Sequence, residues 1–73
     1  MNTVKELNIY CGSIETQSVT FEPSDAPITM TRHRAPMGPD SHYIETYTAP
    51  AGTVAIVTTH RTTINTTKTF IFA

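Results

Sequence analysis

The run YIETYTAPAGTVAIVTT, residues 43–59, decides the fold. Its first six residues alternate. Tyr43, Glu45 and Tyr47 share one parity, and Ile44, Thr46 and Thr48 share the other. Successive side chains of a strand point to opposite faces, so this is the pattern of a half-buried strand. Ala49-Pro50-Ala51-Gly52 then breaks it. Pro50 suits the first central position of a type I turn, and Gly52 can adopt the left-handed conformation that follows. That combination predicts a hairpin with a glycine bulge. The next run, Thr53-Val54-Ala55-Ile56-Val57-Thr58-Thr59, is apolar on both parities at its centre. It reads as the central strand of a sheet, covered on both faces.

Outward from this stretch the same punctuation repeats. Ile28 and Met30 alternate with Thr29 and Thr31, and Pro27 can open such a strand. Glu22-Pro23-Ser24-Asp25 is turn chemistry. The run 14–21 reads as a strand whose apolar positions change parity between Ile14 and Val19, so a bulge near Gln17 and Ser18 is expected. The loop 35–41 holds Pro36, Gly38 and Pro39, which exclude helix and ladder alike. After a turn near 60–62, the last strand is expected over 63–72, with Ile64, Phe70 and Phe72 on one face.

The N-terminal segment is open between two readings. Thr3-Val4-Lys5-Glu6 matches a helix capping box and Gly12 a helix stop. Leu7, Ile9 and Cys11 alternate with Glu6, Asn8 and Tyr10, which favours a strand over 3–11. The expected architecture is therefore all-β: a small antiparallel barrel or sandwich of five to six short strands, with at most one short N-terminal helix. The expected core is Leu7, Ile9, Val19, Phe21, Ile28, Met30, Ile44, Val54, Ile56, Ile64, Phe70 and Phe72.

Composition agrees with strands. Thr fills 15 of the 73 positions, ten of them from Thr46 onward, while charged residues are only 15%. Thr is β-branched and fits a pleated surface better than a helix. The length suits one domain, residues 1–73. A domain of this size buries only about 60% of the surface its unfolded chain exposes. It therefore gains from a disulfide, a metal or a second subunit. Cys11 is the sole cysteine, so no internal disulfide forms. A lone thiol points to a reducing compartment, and no signal-like N-terminus or apolar run of roughly 20 residues appears. The expectations are a cytoplasmic chain, no membrane and a homodimer.

The net charge is -1, which gives no global pull toward nucleic acid. Phosphate-binding glycine loops, HExxH, GxSxG and CxxC are absent, so no enzyme chemistry and no cofactor are expected. Ser24, Asp25 and His42 can be arranged into a hydrolytic set only on paper. Three clusters remain. Arg32, His33 and Arg34 end the third strand, with both arginines on the face of Ile28 and Met30, and Arg61 ends another strand. Paired guanidinium groups suit a carboxylate or phosphate through forked hydrogen bonds. Tyr43 and Tyr47 share a face, where they would stack bases, anchor a protein or, as large aromatics more often do, form half-buried core. His33, His42 and His60 have the chemistry of zinc ligands but spacings with no motif behind them, so they are weak metal candidates.

The expected binding surface is Arg32, His33, Arg34, Tyr43, Tyr47 and Arg61. The expected function is a non-catalytic module acting through protein–protein interaction, a small inhibitor or adaptor of the kind mobile elements carry. The alternative is a small β-barrel that binds nucleic acid through Arg32, Arg34, Arg61, Tyr43 and Tyr47. A histidine-based metal or small-ligand binder comes third.

Overall fold

A computed structural model describes residues 2–12, 16–35 and 42–73. Ile14 and most of the loop expected at 35–41 lie outside the described residues. Seven strands form, in chain order β1 (Asn2–Val4), β2 (Leu7–Cys11), β3 (Thr16–Glu22), β4 (Thr29–Arg34), β5 (Tyr43–Thr48), β6 (Val54–His60) and β7 (Asn65–Phe72). They make a four-stranded sheet in the order β1-β7-β6-β3 and a three-stranded sheet in the order β2-β5-β4. The architecture is an open two-sheet sandwich, not a closed barrel. No helix occurs among the described residues, so none is long and apolar enough to cross a membrane. The smallest molecular dimension, 20 Å, fits two sheets about 10 Å apart with their side chains.

The N-terminal segment is two strands instead of the expected one, and they belong to different sheets. Val4 and Leu7 have opposite parity, yet both turn toward the core. A continuous strand would send them to opposite faces, so the chain breaks at Lys5–Glu6. β1 pairs with the end of β7 in parallel, an exception to the antiparallel expectation. Ala73 N–H donates to the Val4 carbonyl at 2.8 Å and extends that seam. β3 runs without a bulge over its described length, in unbroken register with β6 from Thr16↔His60 to Glu22↔Val54.

The turn after β5 is a corner and not a hairpin, because β5 and β6 lie in different sheets. Gly52 does take positive φ, at 92°. The turn hydrogen bond runs from Thr53 N–H to the Pro50 carbonyl at 3.1 Å, which puts Pro50 at the first corner of the turn rather than the second. The freed backbone groups pair with β7 instead. Gly52 N–H donates to the Phe72 carbonyl at 2.8 Å, and Phe72 N–H to the Thr53 carbonyl at 2.9 Å.

The core is a cluster of Leu7, Ile9, Ala55, Val57 and Phe72, with Val4, Cys11, Val19, Phe21, Tyr47, Ala49 and Phe70 packed against it. β6 therefore buries Ala55 and Val57, whereas Val54 and Ile56 take the outer face. Register explains the choice. Ala55 stands between Phe21 and Phe70, where two rings leave room for one methyl. Phe21 also packs on Phe72 and Tyr47, with ring centroids 6.5 and 5.6 Å apart. Met30 and Ile64, expected in the core, are 44% and 61% exposed. Met30 shares the inner face with Leu7 and Tyr47 but sits on edge strand β4, where nothing covers it. Ile64 belongs to the 61–64 turn, in which its carbonyl accepts from Arg61 N–H at 2.9 Å.

Candidate functional site

Register places the inner face of the three-stranded sheet in rows: Leu7, Tyr47 and Met30; Ile9, Glu45 and Arg32; Cys11, Tyr43 and Arg34. The second sheet covers this face over β2 and part of β5. Beyond that, β4 is exposed at all six positions. The transition between covered and open halves falls on Glu45.

Glu45 is the hub of the site, with only 13% of its side chain exposed. Three side chains converge on its carboxylate. Arg32 Nη2 donates to Oε2 at 2.6 Å, the Tyr47 hydroxyl donates to Oε1 at 3.0 Å, and the Cys11 thiol reaches Oε1 at 4.0 Å. A carboxylate at this depth needs such partners, since an unpaired charge there would be costly. No buried side-chain polar atom among the described residues lacks a partner. The same salt bridge aims Arg32. Its guanidinium carbon sits 4.5 Å from the Tyr43 ring centroid, a cation–π geometry, while 55% of the side chain stays open to solvent.

The electrostatics follow from these contacts. The hydrogen bond to Glu45 holds the Arg32 guanidinium above its ordinary range and so permanently charged. Burial, reinforced by the bond to Glu45, pushes the Tyr47 phenol up to about 12. The charge and hydrogen bond of the neighbouring Cys11 sulfur raise the Tyr43 phenol.

The expected binding residues separate on this framework. Arg32, Arg34, Tyr43 and Tyr47 do share one face. Tyr47 belongs to the core side, its ring on Phe21 and its hydroxyl spent on Glu45. His33 pairs with Ile44 and Tyr10 on the opposite, outer face. Arg61 lies beyond the end of β6, in the other sheet. The histidines do not converge. His42 Nδ1 is hydrogen-bonded to the Tyr10 hydroxyl at 2.5 Å, and His60 Nδ1 to Asn65 Oδ1 at 3.2 Å. No three potential ligands gather among the described residues. Ser24 and Asp25 lie near the Thr48 end of β5 and His42 at its Tyr43 end, a strand of roughly 20 Å apart, so they form no hydrolytic set. The residue missed in the sequence is Glu45. Its signal is a lone carboxylate between two tyrosines of equal parity, and it becomes a site only once β4 brings Arg32 opposite.

No protein-family model, curated protein or solved structure matches this chain.

Proposed function

We propose that this chain is a non-catalytic binding module that docks an extended, acidic segment of another protein along β4. The carrying observation is the state of β4, which is exposed at every position and, among the described strands, has β5 as its one neighbour. Its free edge offers backbone donors and acceptors for an added strand, which supplies affinity without a pocket. Arg32 and Arg34 flank that edge from one face, with Tyr43 beneath Arg32. The Arg32 guanidinium, fixed by Glu45 over the Tyr43 ring, would select a carboxylate on the incoming segment. A small inhibitor or adaptor working inside the cell would use such an edge. The nucleic-acid reading is less well served, because the Tyr47 ring packs on Phe21 and its hydroxyl is bonded to Glu45.

The test is affinity capture from the source cells, followed by calorimetry with the purified partner. A bound protein that stays at high salt, and loses affinity on Arg34→Glu, is the expected result. Capture of nucleic acid that salt releases overturns the reading, because phosphate contacts weaken steeply as salt rises.

A further inference from the structure

The two sheets are offset, and the offset leaves a second inner face uncovered. On the four-stranded sheet, Ala55, Val57 and Phe72 are buried, but Thr66 and Lys68 of β7 are exposed. β1 pairs only with residues 70–72 of β7, so among the described residues the 65–69 half of that strand has no strand neighbour on its β1 side. Between this face and β2 lies a groove of about 510 Å³. Its apolar wall comes from Leu7 and Ile9 on one sheet and Val57 and Phe70 on the other, and Arg61 and Lys68 also line it.

Lys68 is the informative residue. Its register partners are Val57 and, one strand further, Val19, so it projects from the inner face of the sandwich. A cation on that face is out of place in a closed core. Among the described residues Lys68 makes no hydrogen bond or ion pair. Among the described residues the lining holds no carboxylate, and of its two cations Arg61 is already engaged in another interaction while Lys68 is not. The groove thus sets the Lys68 ammonium beside an apolar floor of Leu7, Ile9, Val57 and Phe70, at a volume usual for small-molecule sites.

We infer that this groove binds a medium-chain alkyl carboxylate, with the chain along Leu7, Ile9, Val57 and Phe70 and the head group on Lys68. Apolar burial supplies most of the affinity and the ammonium selects the anion. A purely anionic ligand would leave the apolar wall wet, and a neutral one would leave Lys68 unpaired. The site uses none of Arg32, Arg34 and Tyr43, so its failure would leave the β4 reading intact, and the reverse.

The probe is decanoate below its micelle concentration, titrated by calorimetry and by amide chemical-shift mapping. Saturable one-to-one binding is expected, with shifts centred on Ile9, Val57, Lys68 and Phe70. Lys68→Gln should weaken it roughly ten-fold and Lys68→Glu further, as loss of a charge-assisted contact implies. Lys68 is exposed, so melting and circular dichroism of both variants should match the parent. Decanol should bind at least about ten-fold more weakly than decanoate. Absence of saturable binding, equal affinity for decanol, or affinity unchanged in Lys68→Glu overturns the assignment.

Discussion

At the scale of single residues, Glu45 shows how a polar group can organise a small sandwich. Its three donors come from β2, β4 and β5, so one carboxylate ties together every strand of its sheet. Tyr47→Phe removes one donor and keeps the ring on Phe21. It should cost about 1 kcal/mol, the net worth of one such bond, measured by urea denaturation. The same phenol makes alkaline stability predictable. Its folded pKa of about 12 lies above the ordinary value of 10.0. The fold favours the neutral form, so this contribution is complete below pH 10 and fades as pH rises from there toward 12. In ultraviolet titration the phenol step near pH 12 should disappear in Tyr47→Phe, and the same change should flatten the alkaline loss of stability. Gly52 is the other residue with a sharp expectation. A Cβ there meets no atom within 4 Å, so space is not at issue, but φ is 92°. Gly52→Ala should therefore destabilise by about 1 kcal/mol through backbone strain alone, read as a lower melting temperature.

At the scale of elements, alternation was readable wherever one parity was apolar and the other was not. The strand Tyr43–Thr48 falls where the pattern put it, although both of its faces are half-buried. β6 carries no such contrast. Val54, Ala55, Ile56 and Val57 are all apolar, and size alone favours the wrong pair. The inward choice of Ala55 depends on the two phenylalanines flanking it across the sheet, a fact of register that no local window contains. The 49–52 turn fails in the same way. Pro and Gly specify that the chain turns, while the identity of the strand that pairs next comes from Phe72, twenty residues on. The site was half legible for this reason. Arginine and tyrosine parity put Arg32, Arg34, Tyr43 and Tyr47 on one face, but the depth of Glu45 depends on where the other sheet ends. The face assignment of β6 has a direct test. Ala55→Lys should abolish folding, since an unpaired ammonium in that position costs several kcal/mol. In dilute solution Ile56→Lys should shift stability by no more than about 1 kcal/mol, because the outer face leaves the charge in water. Circular dichroism melts of the two variants decide between the faces, and equal behaviour would contradict the register.

At the scale of the whole molecule, the offset sheets leave more apolar surface uncovered than a closed sandwich would. A further apolar patch lies on the outer face of the four-stranded sheet, where Val54 and Ile56 of β6 stand beside Ile71 of β7. All three are only half-buried. The surroundings are mostly uncharged: Ser18, Thr20, Thr58, Thr67 and Thr69 extend the face from both sides, and Glu22 stands beside Val54 at its edge. Threonine presents a methyl and a hydroxyl together, so such a face can be dehydrated at low cost, and its regular pleat complements a second copy of itself. Two of these faces packed about 10 Å apart would bury the Val54–Ile56–Ile71 patch symmetrically. The chain has 73 residues, no disulfide and a modest core, so burial added by self-association would be a substantial part of its stability. The expected outcome is a homodimer at micromolar concentration by sedimentation. Its melting temperature should rise on the order of 4 °C for each tenfold increase in protein concentration. Ile56→Lys sets two charges against each other across the two-fold axis, so it should abolish that dependence while preserving the fold of the dilute monomer. An 8.0 kDa species whose melting temperature ignores concentration would refute self-association, and the β4 edge would then be the module's remaining route to a partner.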